Sequence, residues 1–413
     1  MSKKITVFLR TFGCQMNVRD SEVICGLLRA TSYELTTKPE EADIIIFNTC
    51  SVRQHAEDKV WSEVGRVAKL AMKDEGRRMK EEGRKRPIIG LVGCMAQNYK
   101  EQIFQRAQAV DFVVGPSDID KIPEIIERVT KSQSHKVTGG NLFESKIWET
   151  DSHVRPEEIY HTGFYEDKNH VYVVISEGCS NYCSYCVVPY VRGPIHHRQP
   201  QDIIKEIEKA VASGIQKITL LGQNVNAYKS QGQCEAKRSL PRGGNVTRSQ
   251  VGFIELLCLV NAVKELKEFS FITSHPKDVL EGLFKAMAKL NKLKKYLHLP
   301  VQSGSNRILK AMNRGYSREY YLQLIEEYRK IVKQGVLTTD IIVGFPGETE
   351  RDFQDTFDLV KEAQFDAGFI FKYSGRPHTE AEKLTDDVAK EEKERRHSLI
   401  LQLQKKISRS KRC

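Results

Sequence analysis

HVYVVISEGCSNYCSYC, residues 170–186, carries an apolar strand-like stretch straight into a C-x3-C-x2-C run. Its cysteines are Cys179, Cys183 and Cys186. Three thiolates can fix three irons of a [4Fe-4S] cube and leave the fourth iron without a protein ligand. From Val171 onward the chain alternates strand and helix patterns. Strands are expected at 171–176, 215–220, 269–273, 295–299, 338–343 and 367–371. Helices are expected near 201–212, 251–267, 277–290, 318–334, 350–363 and 386–405. Six such units predict a partial (β/α)6 barrel, whose site lies at the carboxyl ends of its strands. The cysteine run fills the first of those loops.

Toward the N-terminus three further cysteines each follow a short hydrophobic segment: Cys14 in VFLRTFGC, Cys50 in DIIIFNTC and Cys94 in IIGLVGC. Strands at 5–9, within ADIIIFNTC (42–50), within RPIIGLVGC (86–94) and at 109–115 alternate with helices at 18–30, 52–73 and 119–129. This pattern predicts an α/β domain with a parallel sheet covered on both faces. Ligands in such sheets sit beyond the carboxyl strand ends, where all three cysteines fall. The expected division is 1–135 for this domain, 136–168 as a polar connector, 169–383 for the barrel, and 384–413 as a helix with a basic tail.

The chain has 413 residues, 40% hydrophobic and 29% charged, enough for two or three domains with cores. No apolar run is long enough to cross a bilayer, and MSKKITVFLRTFGC lacks the features of a secretory signal. A cytoplasmic monomer without membrane attachment is expected. Ten cysteines spread over this length exclude a disulfide scaffold. Cys25 and Cys258 read as buried small hydrophobes, Cys234 and Cys413 as exposed. The formal net charge is +11, which suits a phosphate-rich partner. Eight basic and four acidic residues lie between Lys69 and Arg86; a solvated helix face is the plainer reading of that run. The 228–250 insertion reads as a surface loop.

Zinc competes for Cys179, Cys183 and Cys186, with His196 or His197 as fourth ligand. The spacing, with Tyr185 between the last two cysteines and a strand directly before them, favours the cluster. Cys14, Cys50 and Cys94 match no local metal motif and could be buried strand-end thiols. Their shared placement favours a second cluster. An iron left open can chelate the amino and carboxylate groups of S-adenosylmethionine, whose reductive cleavage yields a 5′-deoxyadenosyl radical. Other strand ends carry groups suited to seating that cofactor. They are Gln223 and Asn224 in LLGQNVNAY, Ser274 in TSHP, Gln302 and Ser303 in LPVQSGS, and Gly344 in DIIVGFPGET. Arg198, in GPIHHRQPQDI, is a further candidate cation. Arg53, Arg192 and Arg198 are the basic residues nearest the proposed sites, with guanidinium forks suited to phosphate.

FGCQMN, NTCSVR, QHAEDKV, GCMAQ, EGCSNYCSYCVVPYVRG, LLGQNVNAY, LHLPVQSGS and TDIIVGFPGETE together resemble the radical S-adenosylmethionine methylthiotransferases, over about residues 5–400. The resemblance is nearest to the branch acting on tRNA that carries isopentenyladenosine at position 37. NTCSVR and Met95 after the third cysteine distinguish this branch from relatives that modify threonylcarbamoyladenosine. The resemblance implies a radical-generating cluster on Cys179, Cys183 and Cys186, and an auxiliary [4Fe-4S] cluster on Cys14, Cys50 and Cys94 that delivers the methylthio group. It also implies S-adenosyl-L-methionine, an anticodon stem-loop as partner, an electron donor and a sulfur source. The product would be the 2-methylthio nucleoside. Family members carry a C-terminal RNA-gripping TRAM β-barrel, and none is expected before Cys413. Tyr373–Thr379 reads YSGRPHT where the family has Y-S-P-R-P-G-T. The alternative substrates within the family are tRNA carrying threonylcarbamoyladenosine at position 37 and ribosomal protein S12; the competing class is a zinc-holding, non-catalytic RNA-binding scaffold or a truncated relative without activity, which metal content and tRNA products discriminate.

Overall fold

The apolar runs that precede the three dispersed cysteines become adjacent parallel strands. The computed structural model describes residues 4–31, 33–51, 54–81, 86–135, 146–231 and 250–411. The chain divides into two units, Met1–Glu166 with Tyr190–Gly193, and Asp167–Pro189 with Pro194–Cys413.

In the first unit β1 (Thr6–Phe12), β2 (Glu34–Leu35), β3 (Ile44–Thr49), β4 (Ile88–Gly93), β5 (Phe112–Val114) and β6 (Ile147–Glu149) form one parallel sheet. Their order is β2-β1-β3-β4-β5-β6. All residues of β3 and β4 are buried, as uninterrupted apolar runs require in a sheet covered on both faces. The strands are linked by α1 (Gln15–Ala30), α2 (Gln54–Glu81), α3 (Cys94–Tyr99), α4 (Gln102–Arg106) and α5 (Ile122–His135). Val60 and Val64 of α2 and Ile103 and Phe104 of α4 pack on Ile45, Phe47, Ile89, Leu91 and Val113. Alternate strand residues thus feed one core face.

The connector expected at 136–168 needs correction. Residues 136–145 lie outside the described residues, but β6 extends the sheet and residues 155–166 pack over α1. Arg155 donates to Asp20 at 2.7 Å and to the Pro116 carbonyl at 2.8 Å. Arg19 donates to the Tyr160 carbonyl at 2.9 Å and lies over the Tyr165 ring. Glu22 accepts from the Glu166 amide. Polarity suggested a solvated linker; it matches instead the buried polar face of α1, where Asn17, Arg19, Asp20 and Glu22 are nearly inaccessible.

In the second unit the barrel strands are β7 (His170–Val174), β10 (Lys217–Leu221), β13 (Glu268–Phe271), β14 (Tyr296–His298), β15 (Val336–Val343) and β16 (Ala367–Lys372), with β8 (Ser176–Glu177), β9 (His196–His197), β11 (Lys229–Gln231) and β12 (Gln250–Gly252) as small antiparallel pairs. β7, β10 and β13 pair in parallel, as do β14, β15 and β16. Backbone bonds between Phe269 and Lys292 and between Lys294 and Phe269 join the two sets. Six strands therefore follow one another in chain order around an open barrel. The insertion expected as a loop at 228–250 is paired at its ends through β11 and β12; residues 232–249, with Cys234, lie outside the described residues. The helices are α6 (Val188–Arg192), whose residues from Tyr190 on count with the first unit, α7 (Pro200–Ala212), α8 (Phe253–Ala262), α9 (Leu283–Lys289), α10 (Asn306–Ala311), α11 (Arg318–Ile331), α12 (Glu350–Ala363) and α13 (Lys390–Ser410). The last packs along β16, where Gln404 donates to the Phe365 carbonyl at 2.9 Å. No helix among the described residues is long and apolar enough to cross a membrane.

Candidate cluster and cofactor sites

In the first unit Cys14, Cys50 and Cys94 end β1, β3 and β4 and come together. Cys14 occupies the N-cap position of α1, where the positive end of the helix favours a thiolate. A hydrogen bond with Cys50 and the charge of Arg192 outweigh burial and pull the Cys14 thiol down to about 6. A Cβ built on Gly13 would lie 2.5 Å from the Cys50 Cβ, which shows how closely these strand ends approach. Burial pushes the Cys94 thiol up, opposed by Arg192, whose Nε donates to the Cys94 sulfur at 3.2 Å. The same guanidinium donates to Asp20 at 2.6 Å. Arg192 is therefore held by a thiol and a buried carboxylate; the phosphate-binding role expected for it is corrected. Asn17 and Asn48 brace the strand ends from beside, with Asn17 donating to Asn48 Oδ1 at 3.1 Å and to the Thr49 carbonyl at 3.2 Å.

In the second unit the loop after β7 presents Cys179, Cys183 and Cys186. Burial raises the Cys179 thiol and pushes Cys186 up to about 12, and the charge of Cys183 adds to both. The loop is fixed from several sides. Cys186 donates its amide to the Cys183 carbonyl at 2.9 Å, and the Ser184 amide bonds the Met312 carbonyl at 3.0 Å. Asn313 donates to the Tyr182 carbonyl at 2.9 Å, holding Tyr182 at φ 46°. The Cys183 sulfur has two further neighbours: Arg314 Nη1 at 3.2 Å and His275 Nε2 at 3.8 Å. His275 Nδ1 accepts the Lys277 amide, so its proton sits on Nε2. Burial, with the charges of Arg314 and Lys277, keeps the imidazole far below its ordinary range.

Each donor set consists of thiols, the side chains that hold iron–sulfur clusters as thiolates. Among the described residues Asp118, Glu149 and Asp151 bring three ligand atoms within 4.8 Å of one another, and Lys121, Arg128 and His153 surround them. Of the two histidines weighed as a fourth zinc ligand, His197 packs on the Tyr228 ring at 5.4 Å, and the backbones of both pair with β8.

The other expected residues divide by what they touch. Asn224 Nδ2 donates to Asp278 at 2.6 Å, and Asn181 donates to the same oxygen at 3.1 Å. Four buried oxygens at the ends of β7, β10 and β13 have no hydrogen-bond partner among the described residues: Ser176 Oγ, Gln223 Oε1, Asn224 Oδ1 and Ser274 Oγ. Unmet acceptors and hydroxyls of this kind suit a polar ligand. Gln302 is held at φ 72° by backbone bonds to Asp340 and Ile342. The remaining three serve the fold. Ser303 shares a hydrogen bond with Thr356 at 3.2 Å and accepts the Ser305 amide. Gly344, at φ 71°, leaves room for Lys393, whose Cγ would lie 2.3 Å from an added Cβ. Arg198 is buried, donating to the Val174 carbonyl at 2.7 Å and to Glu206 at 2.6 Å. Arg53 and Cys413 lie outside the described residues, and Cys25 and Cys258 are half-buried. Sequence reasoning missed Arg314, Asp20 and Arg155, and named His275 only as part of TSHP.

Residues 173–360 match the Radical SAM superfamily, and residues 6–115 match the Uncharacterized protein family UPF0004. The barrel with its cysteine loop thus defines a radical S-adenosylmethionine enzyme, a class whose cofactors are a [4Fe-4S] cluster and S-adenosylmethionine. The chain is 39% identical to the tRNA-2-methylthio-N(6)-dimethylallyladenosine synthase of Carboxydothermus hydrogenoformans, over 97% of this chain and 83% of that one. It is 41% identical to the enzyme of the same name from Syntrophomonas wolfei, over 95% and 80%. It belongs to this family of synthases. Among solved structures it is similar to the radical S-adenosylmethionine methyltransferase TsrM of Kitasatospora setae, with cobalamin and a [4Fe-4S] cluster bound. The TM-score is 0.57 at 12% identity, covering 92% of this chain and 77% of that one. The cobalamin-dependent radical enzyme OxsB gives 0.52 at 13% identity, over 98% and 56%. These two likenesses concern the fold.

Proposed function

We propose that this chain methylthiolates C2 of N6-isopentenyladenosine at position 37 of tRNA, in the cytoplasm. The observation that carries the reading is the convergence of three cysteines in each unit, in a chain 39–41% identical to the synthases over nearly its whole length. Cys179, Cys183 and Cys186 would hold the radical-generating cluster, and Cys14, Cys50 and Cys94 the auxiliary one. When bound, these groups supply a reducing electron to S-adenosylmethionine and the sulfur that reaches the nucleoside.

The protein's own contribution is position and charge. Ser176, Gln223, Asn224 and Ser274 offer hydroxyl and amide oxygens to the polar edges of S-adenosylmethionine at the barrel mouth. Asp278 orients Asn224 and Asn181. Gln302 and Gly344 set the turns that end β14 and β15, Ser303 braces the loop after β14 against Thr356, and Arg198 ties the end of β7 to Glu206 of α7. Burial around Cys183 and Cys186 excludes water from the reducing centre. Arg192 and Asn17 fix the sulfurs of the first unit.

Anaerobic incubation of reconstituted protein with unmodified, isopentenylated and threonylcarbamoylated tRNA, followed by nucleoside mass analysis, tests the reading. The expected product is the 2-methylthio derivative of isopentenyladenosine only. A methylthio threonylcarbamoyladenosine, or no product from a fully iron-loaded protein, would refute it.

A further inference from the structure

Each cysteine set has one buried arginine placed 3.2 Å from a sulfur, but the two differ in what balances their charge. Arg192 meets the carboxylate of Asp20, which Arg155 also binds. Arg314 has no such partner. Its Nη2 donates to the Pro300 carbonyl at 2.8 Å, its Nε to the Tyr316 hydroxyl at 3.0 Å, and its Nη1 to Tyr185 and the Cys183 sulfur. It is 4% exposed, and no carboxylate among the described residues forms an ion pair with it. A guanidinium stays protonated, and a buried cation with only neutral partners is costly. The anion that offsets it must therefore be the thiolate set itself.

We infer that Arg314 is a positioning residue whose fixed charge raises the reduction potential of the cluster held by Cys179, Cys183 and Cys186. The inference rests on the cluster reading above. Three thiolates and a [4Fe-4S]2+ core carry a net charge of −1, and one electron from a low-potential one-electron reductant makes it −2. A cation in hydrogen-bond contact with a ligand sulfur favours the more negative state. The bond to Cys183 also draws electron density from the sulfur, in the same direction. The neutral Nε2–H of His275 acts on that sulfur without adding charge. Arg314 thus eases electron entry at this centre.

The test uses the full chain with Cys14, Cys50 and Cys94 changed to alanine, so that one set reports. Reconstituted protein is titrated with dithionite while electron paramagnetic resonance follows the reduced cluster, in parallel for Arg314→Gln, Arg314→Met and Arg314→Lys. The expected result is a lower midpoint for Arg314→Gln and Arg314→Met, with Arg314→Lys retaining most of the wild-type value. Either uncharged variant suffices if the other does not hold iron. An uncharged variant that loads with iron and keeps the wild-type midpoint overturns the inference. So does an Arg314→Lys midpoint as low as that of Arg314→Gln, because charge would then not be the cause. Failure of the parent to bind iron would refute the cluster reading, and the inference with it.

Discussion

At the scale of single residues, Gly13 shows how little room separates the cysteines of the first set. A methyl group there would press on Cys50 and on Asn17 Oδ1, 2.6 Å away. Gly13→Ala should cost about 1–3 kcal/mol as overpacking and displace Cys50 from Cys14. Iron assays should then show loss of roughly half the metal, while reductive cleavage of S-adenosylmethionine continues. Retention of all the iron would show that the strand ends yield without moving the sulfurs. The six cysteines could be found in the sequence because each stands at the end of an apolar run or in a fixed spacing. Arg314 could not. It lies in NRGY, between two helices, and nothing local marks an arginine that only folding brings to Cys183. Asp20, Arg155 and Arg192 form their buried group from three distant segments, so their spacing in the chain carried no signal.

Among the elements, α12 has the clearest start signal. Thr349 accepts the Asp352 amide while Asp352 bonds back to the Thr349 amide, a reciprocal cap. Burial raises the Asp352 carboxyl, but hydrogen bonds from Arg307, Ser305 and Thr349 prevail and hold it well below the usual carboxylate range. Because the folded value is depressed, the stabilisation is full above the unfolded pKa of about 4 and fades as pH falls through the folded one. Asp352→Asn should cost roughly 1–2 kcal/mol near neutrality. The gap between its melting temperature and that of the wild type should narrow below pH ~4; a constant gap would assign the effect to packing. This capping pattern, like the apolar periods of the other long helices, is local and therefore readable. The two- and three-residue strands β6, β8, β9, β11 and β12 are not, because partners far along the chain create them. The supposed connector failed for the same reason: its polar residues look solvated until α1 supplies their counterparts.

Across the whole molecule, the positive surplus and the two cysteine sets make separable predictions. Binding of tRNA should weaken at least tenfold between ~50 and ~200 mM salt, as expected when two or more phosphates are contacted; a flat response measured by filter binding would leave the charge without a nucleic-acid role. Removing Cys179, Cys183 and Cys186 together should abolish cleavage of S-adenosylmethionine and keep roughly half the iron. Removing Cys14, Cys50 and Cys94 should spare cleavage and stop thiomethylation. Three successive barrel strands, β13, β14 and β15, are followed by residues in left-handed backbone conformations: Thr273 at φ 72°, Gln302 at φ 72° and Gly344 at φ 71°. For threonine, whose branched side chain disfavours that region, the cost is on the order of 1–3 kcal/mol. Selection for heat tolerance alone should thus choose glycine at position 273, and the survivors should melt higher yet bind S-adenosylmethionine less tightly. A thermostability screen blind to catalysis would relax the backbone beside Ser274, one of the residues proposed to meet S-adenosylmethionine.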